Sequence, residues 1–226
     1  MNEQKLKIAV LVSGNGSNLQ VLIDAQKTAE LPIEIVGVIS NREDAYAIER
    51  ANQAGINVAV LSHTPSGKRM KISTFEQHAL EQLKQWQPDL IVLAGFMRVL
   101  SGDFINACPA PMINLHPSLL PKFKGLDTHA RAIETGETYH GCSVHVVTAE
   151  LDAGAVIAQA LLKINASDTA ETLQNRVHEL EYKILPWSIN LIAKGMFANG
   201  DKKLDLNNLP HPTCLPALPW KLAFVE

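Results

Sequence analysis

The stretch Ile8-Ala9-Val10-Leu11-Val12-Ser13-Gly14-Asn15-Gly16-Ser17-Asn18-Leu19 decides the fold class. A short apolar run, Ile8–Val12, meets a glycine-rich turn, and Leu19, Leu22 and Ile23 then recur at helical spacing. Strand, tight turn and helix together open an α/β sheet. Glycines let the backbone approach an anion closely, and the N–H groups of a helix start point at it, aided by the helix dipole. No Gly-Lys-Ser/Thr follows, so the turn is not a Walker motif. Leu19 stands where a dinucleotide fingerprint has its third small residue, so a single phosphate suits the turn better than a pyrophosphate. The competing reading is an ordinary βα turn with Ser17 or Asn18 as helix cap. The local sequence leaves both open.

Outward from this unit the alternation continues. Ile33–Ser40, Val58–Leu61, Leu90–Ala94 and Met112–Leu115 read as strands, and Asp44–Gly55 and Thr74–Gln87 as helices. Strands alternating with helices predict right-handed crossovers and a mostly parallel, Rossmann-like sheet flanked by helices. The pattern changes after Gly141. Ser143–Thr148 and Val156–Ile164 are strand-like, and the link between them is too short for a helix, so they are expected to pair antiparallel. A long helix is expected from Asp168 and Thr169, kinked or split at Pro186.

At 226 residues a single domain is the default. Its N-terminal half, about residues 1–100, would serve nucleotide phosphate, and about 101–198 the catalysis, with an extended tail over about 199–226. Hydrophobic residues make up 46%, enough for a sizeable core, and the formal net charge of −3 gives no strong attraction to nucleic acid or membrane. Cys108, Cys142 and Cys214 have no metal-like spacing and do not suggest a disulfide framework. No apolar run is long enough to span a bilayer. These features point to the cytoplasm and to no nucleic acid or membrane partner; small-molecule partners and a monomer or homodimer are expected.

Asn114 and His116 stand two apart at the end of an apolar run, so their side chains are expected on one face of a strand. An amide and an imidazole aimed at one point suit acyl transfer, because both donate to an oxyanion and the imidazole also moves a proton. Asp152, beside Ala153-Gly154, would favour protonated His116 and raise its pKa above about 6.5. Plain structural roles compete: Asp152 as a turn residue, His116 satisfied by backbone, Asn114 as a capping amide. His116, His129 and His145 lack the compact spacing of a zinc site. Asp127-Thr128 is expected to cap the helix that carries His129 and Arg131.

With these residues assembled, the chain resembles the folate-dependent formyltransferases. The resemblance rests on Ser13-Gly14-Asn15-Gly16-Ser17-Asn18, Leu93-Ala94-Gly95-Phe96-Met97-Arg98-Val99-Leu100, Ile113-Asn114-Leu115-His116-Pro117-Ser118-Leu119-Leu120-Pro121, His140-Gly141-Cys142-Ser143-Val144-His145 and Leu151-Asp152-Ala153-Gly154. Asn-Leu-His-Pro-Ser-Leu-Leu-Pro marks the class, and the glycine-rich turn narrows it to the purine-biosynthetic branch. The resemblance implies formyl transfer from N10-formyltetrahydrofolate, as co-substrate, to the amine of 5-phosphoribosylglycinamide, with no metal. It makes Asn114, His116 and Asp152 the catalytic trio, and Gly16, Ser17 and Asn18 the phosphate loop. His178 and Glu181 would also meet the ribonucleotide; relatives often carry glutamine at the position of His178. Met97, Arg98, Val99 and Leu100 would border the folate together with Asn114, and Ala149, Glu150, Leu151 and Asp152 would close its other side. The basic residue for the folate tail is left between Arg69, Lys71 and others. Asp127 replaces a histidine seen in some relatives.

Three other readings remain at this point. Methionyl-tRNA formyltransferases share the Asn-x-His core but usually add an RNA-binding domain of roughly a hundred residues. Formyltetrahydrofolate hydrolases normally carry an extra N-terminal regulatory domain. A nucleotide-sensing module with a Rossmann-like sheet would bind without turnover. The length, the charge and the intact trio favour the purine-biosynthetic reading.

Overall fold

The computed structural model describes residues 5–62 and 71–195. Thirteen elements follow one another among the described residues. They are β1 (Leu6–Val12), α1 (Ser17–Lys27), β2 (Ile33–Ser40), α2 (Tyr46–Gln53), β3 (Val58–Val60), α3 (Ile72–Trp86) and β4 (Leu90–Leu93). Then come α4 (Gly102–Ala107), β5 (Met112–His116), α5 (Thr128–Glu134), β6 (Tyr139–Val146), β7 (Val156–Lys163) and α6 (Ala170–Ala193). The strands form one seven-stranded sheet in the order β3-β2-β1-β4-β5-β6-β7. β1 pairs parallel with β2 and β4, and β4 with β5, whereas β6 and β7 run antiparallel. The mostly parallel α/β sheet with an antiparallel pair read from the sequence is the observed fold.

The chain divides into two compact units, Met1–Asn114 with Val147–Ala149, and Leu115–Val146 with Glu150–Glu226. In the first, Ala9, Leu11, Ile39, Ile91, Leu93 and Met112 of the strands pack against Phe75, Ala79 and Leu83 of α3. The helix buries one stripe, and the strands are apolar on successive residues, as parallel strands covered on both faces must be. Burying each such Leu, Ile or Phe contributes about 1.5–3 kcal/mol. In the second, α6 packs on β6 and β7 and against α5. Gly141 allows β6 and β7 to meet: a Cβ there would fall 1.9 Å from the Ala160 carbonyl oxygen.

Several local expectations are corrected. α6 runs unbroken from Ala170 to Ala193 with Pro186 inside it. Proline withholds only the N–H that would reach Tyr182, and the apolar face of Leu173, Val177, Ile184, Leu185 and Ile189 holds the helix across that gap. Its start is a capping box, with Thr169 accepting from the Thr172 N–H and Thr172 accepting from the Thr169 N–H. Neither Ser17 nor Asn18 caps α1. Gly16 holds the N-cap position in the left-handed region at φ 74. Asp127 takes the N-cap position of α5, also left-handed, but its side chain makes no capping bond. β6 begins at Tyr139, four residues before the expected Ser143, and ends at Val146. The short helix α4 had no periodic signal; Ser101 caps it by accepting from the Phe104 N–H. The tail over about 199–226 and Arg69 lie outside the described residues.

Candidate active site

β5 carries both Asn114 and His116 before Pro117 stops the strand. Ile113 and Leu115, on the alternate positions, are core residues. His116 is buried, and its Nε2–H donates to the Phe123 carbonyl at 2.9 Å. That assignment follows from the partner, since a carbonyl only accepts. Nδ1 then faces Oδ2 of Asp152 at 3.5 Å. Phe123 and Asp152 both adopt positive φ, 55 and 48. Backbone held in the left-handed region on both sides of one imidazole is the kind of strain that collects at functional sites.

The charge balance corrects one expectation. The pKa of His116 is lowered, because burial outweighs the Phe123 carbonyl and the Asp152 carboxylate, which raise it. The ring therefore favours its neutral form. Burial alone would raise Asp152, but contacts from His145 and the Gly125 N–H, with the neighbouring imidazoles, bring its pKa below the usual value. The Gly125 N–H donates to Oδ2 at 2.9 Å.

The sequence reading weighed His145 only as a zinc ligand and gave it no place in the site. It lies on β6, almost fully buried, with Nδ1 at 2.9 Å from the Val146 carbonyl and Nε2 at 3.6 Å from Oδ1 of Asp152. Its ring stands edge-on to His116, at 86° and 6.4 Å between centroids. The available signal was a histidine inside an apolar strand, which needs a polar partner if it is buried.

The segment after β5 is held by its own polar residues. The buried Ser143 hydroxyl donates to the Ser118 carbonyl at 2.6 Å and accepts from the Leu120 N–H at 3.1 Å. Thr128 donates to the Pro117 carbonyl at 2.6 Å. Arg131 donates to the Lys124 carbonyl at 2.8 Å and lies over the Phe123 ring. His129 and His140 form a pair, Nδ1 to Nε2 at 3.1 Å, and burial is the main cause that pushes each pKa down to about 4. Among the described residues no group of three or more His, Cys, Asp or Glu is arranged to hold a metal ion.

In the first unit, the Gln20 N–H donates to the Gly16 carbonyl as the first bond of α1. The N–H groups of Ser17, Asn18 and Leu19 lie ahead of it at the positive end of the helix dipole. Gly16 is also a packing requirement: a Cβ there would lie 2.6 Å from the Ala47 Cβ. The Ser13 hydroxyl accepts from the Met97 N–H at 2.7 Å, tying the turn after β1 to the segment after β4. In that segment Met97 is 67% and Val99 64% exposed, whereas Leu100 is buried. The guanidinium of Arg98 sits over the Phe75 ring, and Glu76 accepts from both the N–H and hydroxyl of Ser101. Met97 and Val99 are thus apolar side chains left out of the core.

On α6, Glu181 is buried, and His178 stacks on Tyr182 at 6.3 Å between centroids. Glu150 pairs with Lys124 at 3.1 Å, and Leu151 is exposed. Lys71, the described one of the two basic neighbours, is the residue before α3. Among the described residues no helix is long and apolar enough to cross a membrane.

The formyl transferase family matches residues 6–189, and the chain belongs to it. The chain is 43% identical over 190 residues to the phosphoribosylglycinamide formyltransferase of Escherichia coli, covering 84% of this chain and 88% of that one. It is 42% identical to the enzyme of the same name from Haemophilus influenzae, covering 91% and 96%. It is also 41% identical to a part of the trifunctional purine biosynthetic protein adenosine-3 of Gallus gallus, spanning 19% of that longer chain. Among solved structures, the phosphoribosylglycinamide formyltransferase of Coxiella burnetii is 48% identical with a TM-score of 0.78, covering 85% of this chain and 89% of that one. Glycinamide ribonucleotide transformylase 1 of Symbiobacterium toebii is 36% identical with a TM-score of 0.81, covering 90% and 94%.

Proposed function

We propose that the chain transfers the formyl group of N10-formyltetrahydrofolate to the amine of 5-phosphoribosylglycinamide, giving formylglycinamide ribonucleotide and tetrahydrofolate in purine biosynthesis. The observation that carries this reading is the buried His116–Asp152 pair where β5 ends, in a chain of the formyl transferase family. The family match runs through both compact units and supports treating them as one formyltransferase domain.

In this reading the neutral amine attacks the formyl carbon, and negative charge develops on the formyl oxygen. Asn114 donates its amide N–H to that oxygen, and His116 shares its Nε2–H between that oxygen and the Phe123 carbonyl. Each donor of this kind is worth about 10²–10³ in rate. Because burial keeps His116 neutral, the ring also has a basic nitrogen to take the proton that the attacking nitrogen sheds. Asp152 steadies the imidazolium so formed, and the proton passes to N10 as the C–N10 bond breaks. Gly16, Ser17 and Asn18 hold the phosphate at the start of α1, with His178 and Glu181 as further contacts to the ribonucleotide. Met97, Arg98, Val99 and Leu100 border the folate with Asn114, and Ala149, Glu150, Leu151 and Asp152 line its other side. Met97 and Val99, exposed, supply apolar area to the ring system. The partners are these small molecules.

The test is turnover of the purified chain with N10-formyltetrahydrofolate and 5-phosphoribosylglycinamide, followed by tetrahydrofolate release. Formylated ribonucleotide appearing in equal amount is the expected result. Binding of the ribonucleotide without release of tetrahydrofolate would mean a sensor in place of an enzyme.

A further inference from the structure

Asp152 is held at both oxygens. Oδ2 accepts from the Gly125 N–H at 2.9 Å and faces Nδ1 of His116 at 3.5 Å. Oδ1 faces Nε2 of His145 at 3.6 Å. His145 is itself oriented, because Nδ1 lies 2.9 Å from the Val146 carbonyl and must donate to it. That bond leaves Nε2 to address the carboxylate, and Nε2 donates to it when the ring carries a proton on both nitrogens. A carboxylate rotates easily about its last side-chain bond, where the torsional wells are broad.

We infer that His145 is a positioning residue for Asp152, holding Oδ1 so that Oδ2 stays turned toward His116. The inference rests on the proposed reading of His116 and Asp152 as the reacting pair. His145 does not touch the reacting atoms; it acts through the carboxylate. It also explains why β6, buried at Val144 and Val146, carries an imidazole at the buried position between them. Packing alone would select an apolar side chain there, and a buried imidazole is tolerated when both nitrogens have acceptors to meet.

The experiment compares His145→Asn with His145→Gln. The asparagine amide replaces Nδ1 and stops short of Asp152. The glutamine amide reaches the position of Nε2. Two quantities are followed: steady-state kinetics with both substrates, and the titration of the His116 ring by nitrogen NMR in the ligand-free protein. His145→Asn is expected to lose about tenfold or more in kcat, the order of effect of a small misplacement at a reacting centre, with both KM values little changed. The His116 titration midpoint should move in His145→Asn, and His145→Gln should restore both quantities toward the wild type. Equal behaviour of the two variants, or a wild-type His116 titration in His145→Asn, would overturn the inference. A wild-type protein without formyl transfer would instead sink the functional reading, and the NMR comparison would still decide the role of His145.

Discussion

Nδ1 of His116 lies 3.5 Å from Oδ2 of Asp152, with both side chains buried and each residue's other contacts committed. The imidazole donates to the Phe123 carbonyl, and the carboxylate accepts from Gly125. A pair fixed from both ends changes protonation without changing place, which is what a proton-moving pair requires.

The start of α1 separates stability from binding. Ser17→Asp adds negative charge at the positive end of a helix dipole, so thermal stability is expected to hold or rise by about 0.3–1 kcal/mol. The same charge repels a phosphate at that end. The KM for the ribonucleotide should rise at least about tenfold, while the KM for the folate stays put. Gly16→Val is a poorer probe, because it strains the left-handed N-cap and strikes Ala47 whether or not phosphate binds there. An unchanged ribonucleotide KM in Ser17→Asp would remove the phosphate from this turn.

Val99 tests the folate side. At 64% exposure it contributes little to the core, so Val99→Ser should leave stability within about 0.5 kcal/mol. Its KM for the folate should rise severalfold and its ribonucleotide KM should not. Loss of stability without loss of folate affinity would return Val99 to a packing role.

The His129–His140 pair predicts acid sensitivity. Burial lowers both pKa values to about 4, below the value in the unfolded chain of about 6.5. The unfolded state therefore binds more protons between these limits. Stability from the pair is full above about pH 6.5 and is lost as pH falls toward about 4. The melting temperature should drop across that window, and His140→Leu should flatten the drop. A pH-independent melting temperature between 4 and 6.5, on the scale of these pKa values, would contradict the buried neutral pair.

Gly141 is set by a backbone contact. The Cβ of Gly141→Ala would fall 1.9 Å from the Ala160 oxygen, so β6 and β7 must part. A loss of about 1–3 kcal/mol or more in urea unfolding is expected, as for other overpacked sites. Full stability would mean that the two strands adjust freely.

The layout was legible in the sequence because apolar runs, glycine turns and helical spacing are local. Ile8–Val12 with the following turn, and Leu90–Leu93, declare themselves without knowledge of their neighbours. Asn114 and His116 were legible from alternation before Pro117, and the closeness of Asp152 to His116 from the family's motif. Three things depended on the fold. His145 becomes part of the site only when β6 sets it against Asp152, which no spacing announces. The sign of the His116 shift depends on how deeply the ring is buried, and a sequence shows the carboxylate but not the burial. The unbroken path of α6 through Pro186 is decided by the apolar face that packs, where local propensity argued for a kink or a split.

The pairing of His116 with Asp152 is the central claim, and a double-mutant cycle on kcat tests it most directly. His116→Ala removes the donor and the proton acceptor together. Asp152→Asn keeps the shape and removes the charge. Each alone is expected to cost at least about 10² in kcat, on the scale of a lost oxyanion donor. Because the two act as a unit, the double variant should be little worse than His116→Ala, with both KM values preserved. Near-wild-type kcat in Asp152→Asn, or losses that multiply in the double variant, would contradict the account.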